Sequence, residues 1–332
     1  MTLTAVTLPG HSMLSIVIPA YNAGPFIAET LRSAMAQTQA AAEIILVDSE
    51  STDDTVAIAR ATCPTLRVVA VARRGAAYAR NAGVDAASTP WIAFLDADDV
   101  WAADKLQRQW ALIEAAPDVD LVFCDAWPFR GDEVLLPHFL ETRPRYAALP
   151  KRELAQCAYV FECDMAAALM SANYVLTTSM VLLRRQAFLA VGGFDVSLQV
   201  CEDFDCWLRL LKGRKAGVVD MPLVGYRHHG NSLSDDPRAM VMGRIAVSER
   251  VFANPAAYAN GAEIFFRGEK ARRQRELGLL DLHAGQLGQA RLQFRESLRS
   301  AFVWSTLMLY LSTGLGRKGR DLLLRVKRLF SG

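Results

Sequence analysis

No CxxC pair occurs in this sequence, and none of its cysteines (Cys63, Cys124, Cys157, Cys163, Cys201, Cys206) stands at a zinc-ligating distance from histidine. That argues against a zinc ribbon or a dithiol redox motif and suits small buried thiols in a reducing compartment. Gly-x-Gly-x-x-Gly is missing after the first apolar run, where the chain reads "PAYNAGP", so a dinucleotide-dependent oxidoreductase is disfavoured. A membrane span wants ~20 predominantly apolar residues. The charge-free run "SAFVWSTLMLYLSTGLG" (300–316) falls short of that and is expected to be a buried or interfacial helix. The opening "MTLTAVTLPGHSM" has neither a basic segment nor a long apolar one, so no signal peptide is expected and the expected location is cytoplasmic. Net charge is only +2, which implies no nucleic-acid partner. The balance is uneven: from Arg267 onward, 14 Lys and Arg face 5 Asp and Glu, leaving an acidic body with a basic tail.

What the chain does have is an alternation of strand-length apolar runs with amphipathic stretches. "LSIVIP" (14–19), "EIILVDS" (43–49), "LRVVAVA" (66–72), "WIAFLD" (91–96) and "VDLVFCD" (119–125) are nearly continuous in apolar residues. Helical spacing falls between them: Ile27, Leu31 and Met35 after Pro25, and Leu106, Trp110 and Ile113 further on. Ser51 and Asp54 have the spacing of a capping box. Uninterrupted strands joined by helices argue for an α/β fold with a mainly parallel sheet covered on both faces. Such sheets bind ligands at the carboxyl ends of their strands, where this chain places "PAYN", "DSESTDD", "RRGAAYARN" and "DADD". Residues 128–175 look irregular, as in a variable surface region or lid.

The "DADD" stretch puts Asp96, Asp98 and Asp99 within four positions. Two roles are open to it: capping the next helix, or holding a hard divalent cation through an Asp-x-Asp pair. The neighbouring motifs decide between them. "LSIVIPAYN", "ILVDSESTDDT", "RGAAYARNAG", "FLDADDVW", "GGFD" and "EDFDCWLRL", in this order and at these spacings, resemble a family 2 glycosyltransferase with the GT-A fold, over about residues 14–234.

The resemblance implies an inverting enzyme of bacterial type, with a Rossmann-like, mainly parallel sheet flanked by helices; beyond it, residues 240–300 themselves read as helices, an α-helical C-terminal extension. The implied catalytic domain is 1–235 and the extension 236–332. A nucleotide-diphospho-sugar would be held by Pro19, Ala20, Tyr21, Asn22, Asp48, Ser49, Ser51, Asp53, Gly75, Arg80, Asn81 and Asp96. Mg2+ or Mn2+ would be bound by Asp98, with Asp96 and His229 completing the set; His228 is the alternative histidine. Asp203 would be the general base, with Glu202 beside it raising its pKa, orienting it, capping the helix or binding acceptor. The family usually reads "DDGSTD" where this chain has "DSESTD", so Ser49 replaces an acid and Glu50 a glycine. UDP is the first expectation for the donor, with dTDP or GDP as alternatives. The implied acceptor is a glycan or lipid-linked hydroxyl, in surface polysaccharide or lipid-linked glycan synthesis. A non-catalytic nucleotide-sugar-binding or scaffold member of the same fold is the alternative reading.

Beyond the catalytic blocks, "LGLLDLHAGQLGQARLQF" (277–294) resembles a single tetratricopeptide-type hairpin through Leu277, Gly278, Gly285, Ala290 and Phe294. The end, "GRKGRDLLLRVKRLFSG", interleaves six basic residues with Leu322–Leu324, Val326, Leu329 and Phe330. Two readings are open: peripheral contact with the anionic inner face of the cell membrane, or a solvated basic tail.

Overall fold

Leu14, Ile16, Val17 and Ile18 are all fully buried, so the first apolar run is covered on both faces, as its lack of alternation requires. The computed structural model describes residues 13–230 and 235–314. The chain runs β1 (Leu14–Ala20), α1 (Ile27–Met35), β2 (Glu43–Asp48), α2 (Thr55–Thr62), β3 (Arg67–Ala70), α3 (Ala76–Ala86) and β4 (Trp91–Phe94). It continues through β5 (Val100–Trp101), α4 (Lys105–Ala115), β6 (Val119–Arg130), β7 (Glu133–Val134), β8 (Lys151–Ala155), β9 (Ala158–Phe161) and α5 (Met165–Ser171). Then β10 (Leu182–Arg184), α6 (Arg185–Ala190), α7 (Glu202–Leu210) and β11 (Lys215–Arg227) complete the first unit, Met1–Gly230. The second unit, Asn231–Gly332, contains α8 (Pro237–Ala253), α9 (Ala262–His283), α10 (Leu287–Ser300) and α11 (Trp304–Thr313).

In the first unit the strands lie in the order β3-β2-β1-β4-β10-β6-β11-β9-β8, with β5 paired to β11 and β7 to β6. β3, β2, β1 and β4 are mutually parallel, and so are β6 and β11. β10 is inserted antiparallel between β4 and β6. The parallel block delivers the loops after β1, β2 and β4 to one edge. Phe94, Phe188, Phe194 and Trp207 pack ring against ring, with centroids 5.0–5.9 Å apart, and tie β4 and α6 to α7.

Three local readings of the sequence are corrected. The Ser51–Asp54 capping box does not form: Ser51 Oγ accepts from Asn22 N–H at 3.0 Å, and Asp54 makes no side-chain cap. Asp53 Oδ1 accepts the Thr55 N–H instead, at 3.0 Å. The first helix starts at Ile27, not Pro25, and its Met35 is exposed while Ile27 and Leu31 are buried. Residues 151–161, within the stretch read as irregular, form the β8–β9 hairpin, and β9 pairs antiparallel with β11. Alternation is weak in so short a pair, so no period marked it.

In the second unit, α9 and α10 make the hairpin that the 277–294 pattern indicates. Leu282, Ala290 and Phe294 form its centre, with Leu279, Leu287, Leu309 and Tyr310 around them. A Cβ on Gly278 would lie 2.6 Å from the Phe294 ring, so glycine is what lets the two helices close. No helix among the described residues is long and apolar enough to cross a membrane. The basic end, 317–332, lies outside the described residues.

Gly83 sets the depth of α3 on the sheet, since a Cβ there would fall 2.3 Å from Val17 Cγ1 and 3.0 Å from Val47 Cγ2. Alanine is the better helix former by up to ~1 kcal/mol, but overpacking costs about 1–3 kcal/mol. Gly83→Ala is therefore expected to destabilise the protein, read as a lower urea midpoint; an unchanged or higher midpoint would refute the close packing of α3.

Candidate active site

The acidic loop after β4 is built inward as much as outward. Asp99 is fully buried. Its Oδ2 accepts from Ser179 Oγ at 2.6 Å and Thr177 Oγ1 at 3.0 Å, and its Oδ1 from the Arg227 N–H at 3.1 Å. Thr30 Oγ1 lies 2.9 Å from both the Ala97 and Asp99 carbonyls. Burial first, then the charges of Asp98 and Asp96, push the Asp99 carboxyl well above the usual range. Asp99 thus fastens the loop to the Thr177–Ser179 turn and to the end of β11.

Asp96 and Asp98 face different partners. Asp96 Oδ1 accepts from Arg80 Nη2 at 2.6 Å, and Thr177 and Thr178 hydroxyls lie 3.0–3.2 Å from its oxygens. Thr177 Oγ1 sits 3.0 Å from oxygens of both Asp96 and Asp99, yet a hydroxyl has one proton to give. Asp98 Oδ2 stands 2.8 Å from His229 Nε2, and its carbonyl accepts from Arg227 Nε at 2.7 Å. Burial and Asp96 raise the Asp98 pKa, while the His229 hydrogen bond lowers it. His229 stacks on Phe26 at 4.8 Å, and its Nδ1 is buried without a hydrogen-bond partner. Arg227 also reaches Glu29, Nη2 to Oε2 2.7 Å.

Asp203 and Glu202 open α7, where Cys201 adopts φ 63° and turns the chain into the helix. Glu202 accepts from Arg80 Nη1 at 2.8 Å, so its carboxylate is committed to that pair. One guanidinium therefore spans Asp96 and Glu202, and joins the acidic loop to the start of α7. Arg80 is itself buried, and these carboxylates hold it firmly in its charged form. Asp203 is half-buried and accepts the Phe204 N–H at 2.7 Å. Its pKa is pushed up to about 7, by burial first and then by Glu202, with Arg80 acting in the opposite direction.

The loops after β1 and β2 clasp each other. Asn22, at φ 49°, accepts the Thr52 N–H through Oδ1 at 2.8 Å, and Asp53 Oδ2 accepts the Gly24 N–H at 3.0 Å. Pro19 and Ala20 pair in register with Val47 and Asp48 at the strand ends. Ser49 is buried, and its N–H donates to the Ala20 carbonyl at 2.9 Å. Asp48 Oδ1 is buried without a hydrogen-bond partner. Tyr21 is exposed, and the Arg73 guanidinium stacks on its ring at 3.8 Å. Glu50 accepts the Arg73 N–H at 3.2 Å from a backbone at φ 61°, the left-handed region that favours the family's glycine. Gly75 starts α3 at φ 92°. Asn81 gives both ends of its amide to the Phe194 backbone, at 2.8 and 3.0 Å, and so latches the "GGFD" turn.

Arg73, Thr177, Thr178 and Ser179 also belong to this region, although the sequence does not mark them. The doublet "RR" before Gly75 and the hydroxyl run "TTS" were visible, but neither carries a spacing that marks a site. No group of three or more His, Cys, Asp or Glu forms a preassembled metal cage among the described residues. Asp98 and His229 nevertheless fit a divalent cation: a hard oxygen and an imidazole nitrogen meet at 2.8 Å, and Mg2+ characteristically uses one or two carboxylates with substrate phosphates. Asp96 is drawn to Arg80 and the threonines and does not join that pair.

Two family profiles match this chain, Glycosyl transferase family 2 over residues 15–176 and Glycosyltransferase like family 2 over 150–250. An uncharacterized glycosyltransferase of Haemophilus influenzae is 26% identical over 200 residues, 60% of this chain and 62% of that protein. Escherichia coli YibD, another uncharacterized glycosyltransferase, is 36% identical over 121 residues, and the match spans only 35% of each chain. The Escherichia coli UDP-Glc:alpha-D-GlcNAc-diphosphoundecaprenol beta-1,3-glucosyltransferase WfaP is 29% identical over 228 residues, 67% of this chain and 80% of WfaP. Among solved structures, S. aureus TarS 1–349 in complex with UDP superposes with a TM-score of 0.58 at 17% identity, covering 92% of this chain and 87% of that one. The Pyrobaculum calidifontis mannosyltransferase PcManGT, in complex with GDP-Man and Mn2+, gives 0.54 at 20% identity, covering 95% and 84%. The fold is of the GT-A type. The chain belongs to glycosyl transferase family 2.

Arg80→Met tests the bridge. It removes the cation and strands Asp96 and Glu202 partly buried, a loss of about 3–5 kcal/mol for a broken buried pair. The expected result is a matching drop in unfolding free energy, with Arg80→Lys intermediate because an ammonium lacks the two-pronged fork. Wild-type stability in Arg80→Met would disprove the bridge.

Proposed function

We propose that the first domain, taken as 1–235, is an inverting, cation-dependent transferase that moves a sugar from a nucleotide-diphospho-sugar to a hydroxyl acceptor. The observation that carries this reading is the Arg80 bridge, which draws the loop of Asp96 and Asp98 to the helix start bearing Asp203. In direct displacement the acceptor oxygen bonds to the anomeric carbon, the bond to the diphosphate breaks, and the diphosphate leaves with the electron pair. Asp203 takes the hydroxyl proton on the acceptor side. Glu202 acts as a positioning residue, holding Arg80 and, through its charge, keeping the Asp203 pKa high. Asp98 and His229 would hold a divalent cation, Mg2+ or Mn2+, which when bound would supply positive charge for the leaving diphosphate.

The donor base rests between the β1 and β2 loops, near Tyr21 and Arg73, with Asp48 Oδ1 available to accept a base N–H. UDP is the donor nucleotide we favour, since WfaP is named for UDP-Glc and TarS is bound to UDP, whereas PcManGT holds GDP-Man. The acceptor we propose is a glycan or lipid-linked hydroxyl in surface polysaccharide synthesis, in keeping with the names of WfaP and of the Erwinia amylovora amylovoran biosynthesis glycosyltransferase AmsB. The work is placed on the cytoplasmic side, with peripheral contact to the inner face of the cell membrane through 317–332.

Asp203→Asn is expected to lower transfer 10²–10⁴-fold, the usual worth of a general base, with donor affinity nearly unchanged. Undiminished turnover would exclude the assignment. Because the base must be ionised, kcat/KM of the wild type should fall about tenfold per pH unit below about 7. Stability runs the other way. The Asp203 pKa is raised on folding, so its stabilising contribution is full below the unfolded value and is lost as pH rises through about 7. Asp203→Asn should therefore be no less stable than wild type at pH 8, and a marked loss of stability there would contradict the burial argument.

A further inference from the structure

The last described helix carries apolar side chains on its outward face as well as on the face it packs inward. On α11 the inward side carries the fully buried Thr306 and the buried Thr313, beside Leu309 and Tyr310, which pack on the Leu282–Ala290–Phe294 centre. The outward side carries Trp304, Met308 and Leu311, 71%, 61% and 54% exposed, at i, i+4 and i+7. Phe302 and Val303, 61% and 41% exposed, extend this stripe at its start, and the Phe302 and Trp304 rings meet edge to face at 5.2 Å. Single exposed apolar residues are ordinary, but a continuous stripe led by two aromatics marks a contact surface.

The charges around the stripe indicate what it meets. Residues 301–316 carry no charge at all, whereas the sixteen that follow hold six basic residues against one acid. Among the described residues, arginines border the helix: Arg275 Nη1 donates to Ser305 Oγ at 3.0 Å in the first turn, and Arg291 stacks on Tyr310 at 4.7 Å. A second copy of this chain would oppose that positive rim with another of the same sign. An anionic bilayer complements both features, with acyl chains for the stripe and headgroups for the rim. Tryptophan and tyrosine favour that boundary. Ten residues of helix span ~15 Å, enough to lie in the interface and too little to cross it.

We propose that the outer face of α11 inserts in the plane of an anionic lipid surface. This adds an inserted apolar element to the charge contact assigned above to 317–332, and it stands independently of the transfer chemistry. The full-length protein would be mixed with vesicles of phosphatidylcholine alone, or of equal parts phosphatidylcholine and phosphatidylglycerol, without donor. Wild type is expected to sediment with the anionic vesicles at least tenfold more tightly than with the neutral ones. The triple variant Trp304→Ser, Met308→Ser, Leu311→Ser should lose at least tenfold of that affinity, with its circular dichroism and donor affinity retained. The emission difference between wild type and Trp304→Phe, which isolates Trp304, should shift to the blue on vesicle binding and be quenched by acrylamide beforehand. Unchanged vesicle binding by the triple variant would overturn the proposal. So would a Trp304 already shielded from acrylamide, which places another part of the chain over the stripe. A wild-type dimer that the triple variant dissolves would instead assign the face to a second copy.

Discussion

One guanidinium, Arg80, stands at the centre of the first unit's chemistry. Its two η-nitrogens hold Asp96 at 2.6 Å and Glu202 at 2.8 Å, and so fix two elements that are far apart in the chain. Without that shared cation, the carboxylates of the β4 loop and of α7 would repel one another across the strand ends. A planar fork suits the task, because one group answers two anions along different directions. The position of Arg80 in turn depends on α3 lying close to β1 and β2, which Gly83 permits.

The three neighbouring aspartates divide their work by depth. Asp99 is sealed in and holds the turn; Asp96 is engaged by Arg80 and the threonines; Asp98 meets His229 near the surface. The sequence motif treats them as a set, whereas burial and partners give each a separate part. Glu202 and Asp203 separate in the same way. Adjacent on a helix, they point to different faces, and only Glu202 reaches Arg80.

Much of this arrangement is legible in the sequence. The parallel strands and the polar loops at their ends follow from apolar runs, which are local in sequence, whereas the pairing of the acidic loop with "EDFD" is implied only by the family resemblance of the ordered motifs. What could not be read depends on contacts across long separations or on backbone geometry. Thr177 and Ser179 join the site from some 80 positions beyond Asp96 and Asp99. The positive φ at Glu50 and Cys201 falls on residue types that give no signal of it. Ser51 had the spacing of a helix cap, but Asn22 across the cleft was the stronger competitor for its hydroxyl. The use of both ends of the Asn81 amide on the Phe194 backbone likewise joins positions far apart in the chain.

A single cation shared by two anions has a thermodynamic corollary. Once Arg80 is lost, neutralising Glu202 relieves a repulsion, although with Arg80 in place the same change breaks an attraction. The sign of the Glu202 contribution thus depends on its neighbour, and a double-mutant cycle across the pair would return a large coupling energy. Residues 80, 96 and 202 act as one thermodynamic unit, and no single member has a fixed energetic worth of its own.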